Sequence, residues 1–149
     1  MGKKAKYLNS AEVSFPALSQ NESFARSVVS SFLMQANPTI EEISDMKCAV
    51  SEAVTNAIVH GYAGTYGIIK MKMRLGFDNA VTVEISDKGR GIIDVDLAMT
   101  PMFSTNTDGD RTGMGFTVMR TFTDKIKVTS KVGKGTKVKM IKKLSRDDT

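Results

Sequence analysis

Apolar residues recur at helical spacing in two early stretches of the chain and then switch to strict alternation. Phe24, Val28 and Phe32, with Ala25, Val29 and Leu33, fall on one broad face of a helix. Ser19-Gln20-Asn21-Glu22 ahead of them has the form of a capping box, with Ser19 accepting from the amide three residues on and Glu22 reaching back. Asn37-Pro38 predicts the stop. Thr39-Ile40-Glu41-Glu42 repeats the box and opens a second helix. Its predicted buried stripe is Ile43, Met46, Val50, Ala53, Val54, Ala57 and Ile58, and Gly61 marks its end. Cys48, on the same helix, reads as a small core residue.

Past Gly61 the period becomes two. Ile69, Met71, Met73 and Leu75 alternate with Lys70, Lys72 and Arg74, and Val81, Val83 and Ile85 with Thr82 and Glu84. Gly76-Phe77-Asp78-Asn79 between them predicts a hairpin turn. A loop-rich stretch runs from Asp87 to Gly113, followed by a helix from about Gly115 to Phe122. Strands over Ile126 to Ser130 and Thr136 to Ile141 are joined by Gly133-Lys134-Gly135. Glu12 to Leu18 reads as a short strand that Pro16 limits to an edge or an end. Residues 1–10 read as a flexible basic arm, and 11–149 as a single domain. One-faced helices with alternating strands predict an α+β fold. It is a two-layer α/β sandwich, with helices on one face of a mixed, mostly antiparallel sheet.

The other face of that sheet would carry Lys70, Lys72, Arg74, Lys127, Lys131, Lys137 and Lys139, with Thr82 and Thr129, against Glu84. A solvated face and a basic docking surface both fit this pattern. A net charge of +5 permits a nucleic-acid partner without requiring one. No apolar run reaches the roughly 18 residues of a bilayer span, and none follows the basic start, so neither a membrane anchor nor a secretory leader is expected. A single cysteine excludes an internal disulfide and fits a reducing cytoplasm. One histidine and one cysteine do not make a zinc site of the usual kind.

Three features carry candidate chemistry. Glu52 and Asn56 lie one turn apart on the second helix, off its apolar stripe, and His60 continues the line. A solvated helix face explains these three equally well when they are taken alone. Asp87-Lys88-Gly89-Arg90-Gly91 follows a strand; its aspartate could accept from an amino group and its glycines allow close backbone approach to a flat ligand. Many turns share this form. Arg111-Thr112-Gly113-Met114-Gly115-Phe116 opens a helix, where amides bind phosphate and Arg111 could clamp it. A glycine-rich turn with a surface arginine is the plainer alternative. The P-loop pattern, the full dinucleotide fingerprint and the Gly-x-Ser-x-Gly elbow are all absent.

In this order the three features resemble the GHKL ATP-binding superfamily (the Bergerat fold), which includes histidine kinases, the Hsp90 chaperone and DNA gyrase B. Glu52-Ala53-Val54-Thr55-Asn56 looks like its N box, Asp87 to Gly91 its first glycine box and Gly113-Met114-Gly115-Phe116 its second. The stretches from Ala17 to Arg26 and from Val50 to Tyr62 resemble, within it, the sporulation anti-sigma F family of serine kinases.

The resemblance implies binding of ATP or ADP with Mg²⁺. Asp87 would bond the adenine amino group, Gly89 and Gly91 would line the base pocket, and Thr136 would help hold the base. Asn56 would coordinate the metal, and Glu52 would be the general base. The segment from Thr100 to Thr112 would form a lid, with Thr105 and Arg111 toward the phosphates, and Gly113, Met114, Gly115 and Phe116 would complete the site. Asn106 stands in that lid where a basic residue is expected.

The implied partners are a sporulation sigma factor, an anti-anti-sigma protein phosphorylated on serine and a second copy of the chain, with no direct nucleic-acid or membrane contact. Arg26 would touch both protein partners, although a solvent-exposed arginine also explains it. Three rivals stay open: a stress-response anti-sigma kinase, a non-catalytic ATP-gated binding module and a basic nucleic-acid binder.

Overall fold

The computed structural model describes residues 6–100 and 115–145. A five-stranded sheet has the order β1-β2-β3-β5-β4, from β1 (Asn9–Pro16), β2 (Ile68–Leu75), β3 (Ala80–Asp87), β4 (Lys125–Lys131) and β5 (Gly135–Lys143). All four ladders are antiparallel, so the expected parallel component is not found among the described residues. Helices α1 (Gln20–Leu33), α2 (Ile40–Asn56) and α4 (Gly115–Phe122) form the second layer, and α2 packs between the other two. A short α3 (Val95–Ala98) interrupts the stretch expected to be loop. The result is the predicted two-layer α+β sandwich.

Alternation sets the core. Met71, Met73, Val81, Val83, Ile85 and Met140 point inward and are buried against Val29, Leu33, Met46, Val50 and Val54 of the helices. Each fully buried side chain of this size contributes on the order of 1.5–3 kcal/mol. The open face carries the predicted lysines, but β1 adds an acid: Glu12 pairs in register with Lys72 and lies 3.6 Å and 3.8 Å from Lys70 and Lys72. Glu84 pairs with Arg74 at 3.7 Å.

The second capping box forms as expected, with Thr39 Oγ1 accepting from the Glu42 amide and Glu42 accepting from the Thr39 amide. The first does not. Ser19 is itself helical (φ −58°, ψ −30°), so its hydroxyl is not aimed at the amide three residues on, and it makes no side-chain cap. Glu22 turns toward α2 instead. Cys48 is exposed rather than buried. The buried face of α2 runs through Met46, Ala49, Val50, Ala53 and Val54, which leaves Cys48 beside Ser44 and Ser51 on the other side. The first strand also begins earlier than predicted, at Asn9.

Candidate functional site

The alternation of β3 places Val81, Val83, Ile85 and Asp87 in turn toward the helices. The last is a carboxylate at a position where the pattern asks for an apolar side chain. Asp87 is 9% exposed. Burial pushes its pKa above the ordinary aspartate range, and the amides of Gly89 and Thr136 only partly offset it. The Gly89 amide donates to Asp87 Oδ1 at 2.8 Å.

Glycines make room around this carboxylate. A Cβ at Gly61 would lie 2.8 Å from Asp87 Oδ1, and one at Gly135 only 2.0 Å from the Asp87 carbonyl oxygen. Gly89 packs as closely, its absent Cβ 2.0 Å from the Gly61 carbonyl oxygen. Helix α2 does not stop before Gly61: it widens into a π-helical turn, Ala57–Gly61, in which the Tyr62 amide reaches back to the Ala57 carbonyl. Such turns often mark functional sites. This one aims the carbonyls of His60 and Gly61 at the glycine loop, where they accept from Arg90 Nε at 2.8 Å and the Arg90 amide at 2.9 Å. The Arg90 carbonyl in turn accepts from Gly133 in the β4–β5 turn. Ser130 Oγ accepts from the Ile92 amide at 2.7 Å and lies 2.8 Å from Thr136 Oγ1. Two loops and a helix end are thus tied together by backbone.

Between them lies a cavity of about 800 Å³. Asn56, Asp87, Gly91, Phe116 and Thr136 all line it. Gly89 and Gly115 do not form its wall. Gly89 sits behind it under Gly61, and Gly115 faces the Asn56 amide, which a Cβ there would approach to 3.1 Å. The start of α4 is therefore seated on Asn56. Sequence reasoning read Gly61 only as a helix stop and Gly135 only as a turn; tight packing against a strand-end carboxylate has no local signature. Thr105, Arg111, Gly113 and Met114 lie outside the described residues.

Glu52 is placed differently. It does not line this cavity but a neighbouring groove of about 430 Å³ with Arg26, Cys48 and Val118. Arg26 is held at the root of that groove. Its guanidinium donates to Glu22 at 2.8 Å and to Ser51 Oγ at 3.2 Å. Glu22 also accepts from Ser51 at 2.5 Å and from Thr55 at 3.0 Å. Burial pushes the Glu22 pKa up, but the hydroxyls of Ser51 and Thr55 and the Arg26 charge outweigh it and hold the carboxyl below its ordinary value.

Among the described residues no cluster of histidine, cysteine, aspartate and glutamate could hold a metal by itself. The Asn56 side chain lines the cavity and offers it one amide oxygen, the kind of single hard ligand that Mg²⁺ accepts beside phosphates and waters. No helix among the described residues is long and apolar enough to cross a membrane.

The family model described as histidine kinase-like ATPase domain matches residues 15–142. An anti-sigma F factor of Thermoanaerobacter sp. (strain X514) is 52% identical over 141 residues, 95% of this chain and 98% of the relative. Among solved structures, the RsbU and RsbW domains of a Mycobacterium tuberculosis protein match with a TM-score of 0.69 at 20% identity, over 93% of this chain and 33% of that one. The catalytic domain of the histidine kinase ThkA matches at 0.58 and 18% identity, over 90% and 96%. At these identities the two structures are alike in fold.

Proposed function

The chain belongs to the anti-sigma F factor family of histidine kinase-like ATPase domains, and on that premise we propose that it is an ATP-dependent protein serine kinase. It would hold a sporulation sigma factor in the cytoplasm, as a homodimer, and phosphorylate a serine of an anti-anti-sigma protein. The observation that carries this reading is the joining of Asn56, Asp87, Gly91, Phe116 and Thr136 in one cavity. Asp87 supplies a buried acceptor at its floor, and an amino group of adenine would satisfy it. Asn56 would hold Mg²⁺, whose role when bound is to neutralise phosphate charge.

Glu52, one turn before Asn56 on α2, lines the neighbouring groove, and a protein hydroxyl would approach the γ-phosphate from that side. In the reaction the serine oxygen bonds to the γ-phosphorus as the bond to the β-phosphate oxygen breaks. The hydroxyl proton passes to Glu52, and ADP leaves. A base in this position contributes about 10²- to 10⁴-fold.

The test is incubation with labelled ATP, Mg²⁺ and a candidate anti-anti-sigma protein. Label in phosphoserine is expected. ATP-dependent capture of the partner with no phosphoserine would leave a binding module in place of a kinase.

A further inference from the structure

Tyr62 follows the π-helical turn at the end of α2, and its amide closes that turn on the Ala57 carbonyl. Its side chain is buried and reaches the start of β2. A Cβ at Gly67 would stand only 2.1 Å from the ring. Gly67 has no left-handed φ, so the ring and not the backbone requires glycine there. The phenol oxygen then makes two bonds to backbone. It donates to the Ile68 carbonyl at 2.5 Å and accepts from the Lys88 amide at 2.8 Å.

The register of the sheet explains why these two groups matter. The β2–β3 ladder runs from Leu75 opposite Val81 to Lys70 opposite Ser86. Two steps further, the same register would set Ile68 opposite Lys88. The ladder stops short, and the Tyr62 hydroxyl bridges the two backbones in its place. The bridge stands where β3 parts from β2 and Asp87, its last residue, stays paired only with Thr136 of β5. Asp87 is thus set between two fixed points. Gly135 packs on its carbonyl oxygen, and the amide of the next residue is held by a hydroxyl anchored on β2. Tyr62 does not line the cavity, so any effect it has on a ligand passes through Asp87.

We propose that Tyr62 is a positioning residue for base recognition. Its hydroxyl fixes the peptide between Asp87 and Lys88, and so aims the Asp87 carboxylate at the amino group of adenine. The inference rests on the reading of Asp87 as the acceptor of that amino group and adds the residue that holds it in place.

Tyr62→Phe removes the bridging oxygen and keeps the ring against Gly67. Calorimetry on the full chain gives affinities for ATP and for purine riboside triphosphate, which has hydrogen in place of the 6-amino group. The wild type is expected to prefer ATP by about tenfold or more. Tyr62→Phe should lower ATP affinity about five- to tenfold and leave the analogue within about twofold, which narrows the preference. In an Asp87→Asn background the same substitution should change ATP affinity by less than about twofold, because the two residues act as one unit. Gly67→Ala, which must displace the ring, should reproduce the pattern with the hydroxyl still present.

Unchanged ATP affinity in Tyr62→Phe, or equal losses for ATP and the analogue, would overturn the positioning role. A Tyr62→Phe chain that does not fold would do the same, since the hydroxyl would then hold the fold and not the carboxylate. A wild type with no preference for ATP over the analogue would instead sink the contact between Asp87 and adenine, and the proposal with it.

Discussion

Asp87 and Glu22 are carboxylates set on opposite flanks of α2, and their pKa values move in opposite directions. Glu22 receives Arg26, Ser51 and Thr55 and is stabilised in its charged form. Asp87 has only the Gly89 and Thr136 amides against a deeper burial, and its charged form is disfavoured. A carboxylate fully served by its own chain is a latch between two helices. One that the fold leaves short of donors is poised to accept them from a ligand. The contrast separates the structural side of α2 from the nucleotide side using groups of the same chemistry.

The largest effect expected is from Gly135→Ala. Its Cβ would meet the Asp87 carbonyl oxygen at 2.0 Å, and the backbone there has φ +111°, where side chains are strained. The end of β5 must shift, taking Thr136 from its place opposite Asp87. ATP binding should be lost, and denaturant unfolding should show a cost of roughly 1–3 kcal/mol. Asp87→Asn should separate the two properties. ATP affinity, by calorimetry, should fall about tenfold or more as a charged acceptor is removed, roughly 1.5–3 kcal/mol. Stability at neutral pH should hold or rise, because a buried charge is gone.

Glu22→Gln should give the reverse: about 1–2 kcal/mol of stability lost and ATP affinity unchanged.

The pH dependence sharpens the same comparison. Asp87 titrates higher in the fold than in the unfolded chain, so the fold binds the extra proton. Its contribution to stability declines as pH rises from the ordinary aspartate range through the raised value. Glu22 titrates lower in the fold. Its contribution is complete above the ordinary glutamate value and is lost as pH falls through the depressed one. Unfolding curves of the two variants across acid pH should therefore differ from wild type with opposite slopes. Matching slopes would remove the distinction between latch and ligand acceptor.

Much of this was legible in the sequence because it is periodic. The inward rows of β2 and β3 and most of the buried face of α2 follow from spacing alone, although Ile43, expected in that stripe, is only half-buried and lines the neighbouring groove, and Ala49 takes a buried place beside Met46 and Val50. The Thr39 box follows from local hydrogen-bonding chemistry. Glu22 was not legible. The same Ser-x-x-Glu pattern fits a cap or a bridge to another helix, and Ser51 and Thr55, far along the chain, decide for the bridge. The first half of β1 was hidden because it is exposed and has almost no apolar alternation; its pairing with Leu75 and Met73 is set by backbone. Cys48 was misplaced by composition, since cysteine is usually buried, although its phase on α2 points outward. Gly61 and Gly135 have roles that depend on contacts with Asp87, which only the assembled sheet and helix reveal.

We propose that one turn of α2 divides nucleotide binding at Asn56 from proton transfer at Glu52. Glu52→Gln tests it most directly, with ATP affinity and phosphoserine formation measured on the same protein. Wild-type ATP affinity with transfer reduced by about 10²-fold or more is expected. Transfer at the wild-type rate would contradict it.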